Sequence, residues 1–229
     1  MSVDALECAL RQGIAALELT LSQAQVAQLL EYLALMQKWN RVYNLTAVRQ
    51  PQEMLRQHLL DSLAVVAPLQ RELRNQRRTD GARLLDVGAG AGLPGVVIAI
   101  CCPGIQVVCV DAVAKKAAFV RQVAVGLGLK NLQAVHARVE GLSDVYDVVC
   151  SRAFAALADF VGWSGHLLAP TGCWMAMKGQ RPDAEIAALP PDIQVFHVEQ
   201  LVVPDLNAQR CIVWMRHFRG PGVNPTART

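Results

Sequence analysis

The chain has 229 residues, 53% hydrophobic and 18% charged, with 22 Lys and Arg against 19 Asp and Glu. Such a balance excludes a disordered polar protein and leaves room for one sizeable core with a small appendage. No uncharged apolar run reaches the length of a membrane span, and Asp4 and Glu7 stand where a secretory signal carries positive charge, so a cytoplasmic protein is expected.

The first third reads as helices. Val26, Leu29, Leu30, Leu33 and Met36 recur at helical spacing behind Ser22, a good N-cap, which predicts an amphipathic helix over about 22–39. A short turn is expected around Asn40–Asn44. A second helix starts at Pro51, a suitable first helical position, and should end before Pro68. The Arg-rich stretch Gln70–Gly81 reads as a linker. From Lys38 to Arg83 there are nine Lys and Arg against four acids, a concentration of positive charge that suits a polyanion such as RNA or a solubilising surface.

Beyond Gly81 the pattern changes. Short apolar runs at Arg83–Val87, Gln106–Val110, Leu132–His136, Tyr146–Ser151 and Cys173–Lys178 alternate with helical segments at Leu93–Cys102, Ala114–Leu127 and Ala155–Leu168. Alternation of this kind predicts an α/β fold built on a parallel sheet. Ile193–Val203 and Arg210–His217, separated by a short polar loop, predict a terminal antiparallel hairpin, giving a seven-stranded, mostly parallel sheet preceded by N-terminal helices. The expected organisation is a helical extension with basic linker over 1–80, a Rossmann-like domain over 81–218, and a flexible basic tail over 219–229. Seven cysteines, none in a C-x-x-C pair and most inside apolar runs, read as reduced, buried small hydrophobes. The five histidines have no metal-ligand spacing, and no metal is expected.

The chemistry concentrates in Leu84-Leu85-Asp86-Val87-Gly88-Ala89-Gly90-Ala91-Gly92-Leu93-Pro94-Gly95. A strand ends at Val87, and Gly88, Gly90 and Gly92 let the backbone turn with positive φ and approach a ligand closely. Asp111 ends the next strand, 19 residues after Gly92, where a carboxylate accepts hydrogen bonds from ribose hydroxyls. Gly90-x-Gly92-x-x-Gly95 also fits a dinucleotide fingerprint, which by itself is weak. The register differs, because Gly88 follows the strand directly. Asp86 would also repel a pyrophosphate, whereas it suits the cationic sulfonium end of S-adenosylmethionine. With the terminal hairpin, the loop points to a Rossmann-like methyltransferase that uses S-adenosylmethionine.

A wider set of residues resembles the bacterial RsmG family, formerly the glucose-inhibited division protein B family. These are Trp39-Asn40 with Asn44-Leu45-Thr46, Arg56-Gln57-His58 with Asp61-Ser62, and Asp86 to Gly95. Lys115-Lys116, Ser151-Arg152-Ala153 and Lys178-Gly179 complete it. The resemblance runs from about Leu30 to Met215; Ala91 stands where many relatives carry Pro. It implies transfer of a methyl group to N7 of a guanine in 16S ribosomal RNA, free or within the small ribosomal subunit. It also implies cofactor contacts at Gly88, Leu93, Val139, Glu140 and Arg152, beside Gly90 and Asp111 from the glycine loop and its acid. Asn44, His58 and Lys178, with Arg152, are expected on the acceptor side, holding the guanine or its phosphates. Guanine N7 carries a lone pair and no proton, so alignment rather than a general base is needed, and the catalytic residues stay unassigned. N7 is inaccessible in an RNA helix, so the target base should sit in a loop, bulge or partly assembled particle. The Lys38–Arg83 region, with Trp39 and Tyr43, is the expected docking face. Other readings of the same residues are a methyltransferase with another RNA or a small-molecule acceptor, and a non-catalytic RNA-binding factor.

Overall fold

The computed structural model describes residues 3–78 and 80–218. Five helices come first: α1 (Val3–Ala16), α2 (Gln23–Tyr43), α3 (Pro51–Met54), α4 (Asp61–Leu63) and α5 (Val66–Asn75), with a π-helical turn at Leu55–Leu60 joining α3 to α4. Strands and helices then alternate: β1 (Arg83–Val87), α6 (Gly95–Cys101), β2 (Gln106–Asp111), α7 (Ala114–Gly126), β3 (Leu132–His136), β4 (Tyr146–Arg152), α8 (Leu157–Ser164) and β5 (Leu168–Lys178). A short α9 (Asp183–Ala187) precedes β6 (Ile193–Leu201) and β7 (Arg210–His217).

The seven strands lie in the order β3-β2-β1-β4-β5-β7-β6, parallel except for β7, which runs antiparallel to both β5 and β6. Side chains alternate between faces: Leu84, Val107 and Val148 face the N-terminal helices, α6 and α7, while Leu85, Val108 and Val149 face α8. Both faces are covered, so the strands read as near-continuous apolar runs.

Ser22 caps α2 with a complete capping box, its hydroxyl accepting from Gln25 N and the Gln25 side chain from Ser22 N. Three expectations need correction. The helix does not stop at Asn40: it continues to Tyr43 because Asn44, in the left-handed region (φ 49°), forms its C-cap. Pro68 does not end a helix, since it lies in the first turn of α5, where its missing N–H has no partner to lose. The supposed linker is therefore half helix, with Leu73 buried against the core among solvated arginines. Six cysteines are buried and unpaired as expected, whereas Cys8 is exposed. No helix among the described residues is long and apolar enough to cross a membrane. The tail at 219–229 lies outside the described residues.

Candidate functional site

Chain order reverses between β1 and β4, whose carboxyl ends lie side by side, and open parallel sheets bind ligands at such a switch point. The glycine loop leaves β1 here. Gly88 adopts φ 66°, and a Cβ there would overlap the Phe154 ring. Val110 O receives Gly88 N at 3.0 Å and Ala89 N at 3.1 Å, which seats the loop on β2. Two carboxylates fasten its ends. Asp111 Oδ2 accepts from Gly90 N at 2.9 Å, and Asp86 Oδ2 accepts from Gly95 N at 2.8 Å.

The second of these corrects the reading of Asp86. It is fully buried, directed at the start of α6 rather than toward a ligand, and burial pushes its carboxyl up to about 7 despite the Gly95 hydrogen bond. Its function in the fold is to brace the loop from beneath.

Two clefts meet at the loop and share Gly88 and Ala153. The first, about 420 Å³, is lined by Asp111, Lys116, Val139, Glu140, Phe154 and Trp163. Asp111 Oδ1 accepts from Val113 N at 2.8 Å, so each oxygen already holds one backbone N–H and keeps a lone pair for a further donor. Val139 and Glu140 form a 3-10 turn after β3, Val139 buried and Glu140 exposed on the rim. Phe154 and Trp163 meet edge-on at 5.8 Å between ring centres and close one wall.

The second cleft, about 490 Å³, is lined by Thr46, His58, Asp61, Arg152, Lys178 and Arg210 together with Gly88–Ala91 and Leu93. The π-helical turn aims His58 and Asp61 into it. Asp61 is almost completely buried between two arginines: its Oδ2 accepts from Arg152 Nη1 at 3.0 Å and its Oδ1 from Arg210 Nε at 2.7 Å. Arg152 also donates to Gln57 O at 3.0 Å. Lys178 Nζ is 2.8 Å from Glu185 Oε2, 3.1 Å from Glu185 Oε1 and 3.0 Å from Ala155 O. Three cations thus face two carboxylates, a surplus of one positive charge.

His58 Nε2 lies 2.7 Å from Thr46 Oγ1, and burial together with the Arg152 charge lowers its pKa to about 4. Its folded value lies below the unfolded 6.5, so the unfolded chain binds the proton first and stability falls as pH drops from about 6.5 toward 4. Asp86, raised, acts in the opposite direction between its ordinary value and about 7, so only a comparison with a variant isolates the histidine. His58→Gln should lose less stability than the parent between pH 7 and 4.5, by up to about 3 kcal/mol, in urea unfolding. Parallel pH dependences would contradict the assignment.

Of the residues expected from sequence, Gly88, Asp111, Val139 and Glu140 line the first cleft, and Gly88, Gly90, Leu93, His58, Arg152 and Lys178 line the second. Asn44 lines neither. It caps α2, and its Oδ1 accepts from Arg49 at 3.2 Å. Thr46 takes that place, held by Asn40, whose Oδ1 accepts from Thr46 N at 2.8 Å and whose Nδ2 donates to Val48 O at 3.0 Å. Asp61, Arg210, Phe154 and Trp163 were missed as site residues. Asp61 alone left a signal, as an acid inside an apolar helical run. Trp39 packs half-buried on Phe119, with 5.4 Å between ring centres, and only Tyr43 reaches the surface. The basic region is divided: Lys38, Arg41 and Arg56 are exposed on α2 and the π-helical turn, while Arg78 and Arg83 lie at the opposite sheet edge, paired with Asp147 and Asp144.

The family model described as rRNA small subunit methyltransferase G, GidB, matches residues 25–213. A ribosomal RNA small subunit methyltransferase G of Acidovorax ebreus (strain TPSY) is 63% identical over 220 residues, 94% of this chain and 97% of that protein. One from Polaromonas sp. (strain JS666) is 63% identical over 207 residues, 90% of this chain and 92% of that protein. Among solved structures, magnesium protoporphyrin IX methyltransferase (ChlM) from Synechocystis PCC 6803 with bound SAM matches with a TM-score of 0.57 at 14% identity, over 86% of this chain and 98% of that one. That likeness concerns the fold alone.

Proposed function

Since the chain belongs to the rRNA small subunit methyltransferase G (GidB) family, we propose that its two clefts bring S-adenosylmethionine and a guanine of 16S ribosomal RNA together for methyl transfer to N7. The observation that carries this is the meeting of a cleft bearing Asp111 and Glu140 with a cationic cleft at Gly88 and Ala153.

The residues present fit the cofactor. Gly88 in positive φ brings the backbone shared by both clefts against Phe154, which packs where a Cβ would stand, and Asp111 keeps a lone pair on each oxygen for ribose hydroxyls. Val139 and Glu140 close the adenine end, and Gly90 and Leu93 line the second cleft beside Gly88. When bound, S-adenosylmethionine supplies an electrophilic methyl group on a cationic sulfur.

Among the described residues the acceptor cleft offers no strong free base: His58, with its pKa lowered to about 4 and its Nε2 on Thr46, accepts a proton only weakly, Asp61 is held by two arginines, and Glu185 is held by Lys178. A base would be idle, because N7 has no proton to lose. The ion pairs also keep the arginines from repelling a cationic sulfonium, while the surplus positive charge is available for an RNA phosphate. The work of these residues is therefore alignment of N7 with the methyl group. Lys178, with its donors directed at Glu185 and Ala155, acts by holding β5 to α9 and to the loop after β4.

Lys38, Arg41 and Arg56 form the docking face, and RNA binding that persists unchanged in high salt would contradict it. The substrate presents the guanine outside a regular helix, as in a small-subunit particle or its precursor, and the reaction takes place in the cytoplasm with that RNA. The test supplies labelled S-adenosylmethionine with either unmodified small-subunit RNA or particles, or a panel of small acceptors. Label in the RNA alone is expected; label only in a small acceptor would sink the reading.

A further inference from the structure

Three side chains fasten the glycine loop, and only two of them belong to the Rossmann-like sheet. Asp111 holds Gly90 N and Asp86 holds Gly95 N. Between them the crown of the loop turns its Ala91 carbonyl toward α2, where the Tyr32 hydroxyl donates to it at 2.6 Å. Tyr32 is completely buried and Ala91 nearly so, so this carbonyl has no water in its place. Burial raises the Tyr32 pKa well above its ordinary value, which keeps the hydroxyl protonated as a donor.

We infer that Tyr32 is a positioning residue for the cofactor loop: through its hydrogen bond to Ala91 O, the N-terminal helix α2 fixes the glycine loop relative to the acceptor cleft. This rests on the reading of the Gly88 cleft as the cofactor site. Three observations support it beyond the bond itself.

First, α2 also grips the far end of the helix that the loop feeds, with Gln25 Nε2 donating to Ile100 O at 2.9 Å and Cys101 O at 3.2 Å. Second, eight residues after Tyr32, about 12 Å along the helix axis, Asn40 holds Thr46, which in turn holds His58 on the acceptor side. One rigid helix thus carries attachment points for both clefts. Third, an aromatic column runs along the same helix face. Tyr43 meets Trp39 at 5.0 Å, Trp39 meets Phe119 at 5.4 Å, and Phe119 meets Tyr32 at 6.4 Å between ring centres. The column ends at the exposed Tyr43 on the docking side.

Loss of the hydroxyl leaves Ala91 O buried without a donor, a costly state. The loop can escape that state, because Ala89, Gly90 and Ala91 line the second cleft, from which water can be recruited. The escape shifts the loop toward the cleft, and the cofactor site changes with it. Packing alone predicts a different result, since phenylalanine preserves the ring and its contacts.

The experiment compares full-length Tyr32→Phe with Phe119→Leu, a control that disturbs the aromatic column and keeps the hydroxyl. Calorimetric titration with S-adenosylmethionine is paired with thermal unfolding. Tyr32→Phe is expected to weaken cofactor binding by roughly two- to tenfold, the range of one net hydrogen bond. Phe119→Leu should lower Tm and leave cofactor affinity at the parent value. Parent affinity in Tyr32→Phe, or equal weakening in both variants, would overturn the inference. A parent protein that fails to bind S-adenosylmethionine would instead remove the reading of the cleft on which it rests.

Discussion

Asp61→Ala is expected to be the most damaging single change in the acceptor cleft, costing about 3–5 kcal/mol of stability, as removal of one partner from a buried ion pair does. Asp61 is 3% exposed, and both its oxygens are occupied by arginines that reach it from β4 and β7. Alanine leaves Arg152 and Arg210 facing each other without a counter-charge. Arg152 must then swing outward, giving up its bond to Gln57 O and its position beside Gly88. Methyl transfer should fall by about 100-fold, the cost of misplacing an aligning group by about 1 Å. Asp61→Asn keeps the shape and one acceptor, so it should be intermediate in both respects. Urea unfolding and single-turnover transfer measure the two effects separately. An Asp61→Ala protein within about 1 kcal/mol of the parent would show that the pair is a surface ornament rather than a strut.

The second large effect is expected from Gly88→Ala. The residue sits at φ 66°, where an L side chain costs about 1–2 kcal/mol, and its Cβ would collide with the Phe154 ring. Displacing Phe154 disturbs the wall it forms with Trp163, and relaxing the backbone moves the loop that both clefts share. Cofactor affinity is expected to fall by about tenfold or more in calorimetric titration. Binding at the parent level would mean that Gly88 does not face the cofactor.

The sheet was legible because its strands carry near-continuous apolar runs separated by helical spacing, and both faces are buried. β1 and β3 have the expected bounds, and the terminal hairpin pairs as its short polar loop implied. Ser22 announced the start of α2 by its chemistry. The end of α2 was obscured because an asparagine in the left-handed region can cap a helix as well as sit in a turn, and the spacing alone does not separate the two. The helix α5 was hidden because six of its residues fall in an Arg-rich stretch whose one leucine, Leu73, is outnumbered by charges.

The site was legible where the backbone dictates chemistry and opaque where side chains meet across long separations. Gly88 and Asp111 follow strands, and strand ends locate them. Arg210 meets Asp61 across 149 positions, and no local pattern marks that pairing. Asp86 was placed on the correct strand but the wrong side of the loop, because its sequence position does not tell whether the carboxylate faces a ligand or the first turn of α6. Tyr32 carries no signal in the sequence, and only its 2.6 Å contact with Ala91 O distinguishes it.

The acceptor proposed for this cleft is a ring nitrogen with a lone pair and no proton, served by aligned ion pairs without a general base. The most direct test is to transfer labelled methyl from S-adenosylmethionine to unmodified small-subunit RNA, digest it, and identify the nucleoside. N7-methylguanosine at a single site is the predicted product. A product methylated at a position that must lose a proton, such as guanine N1 or the exocyclic amine, would contradict this, because among the described residues the cleft that holds His58, Asp61 and Lys178 offers only the weakly basic His58 to take that proton.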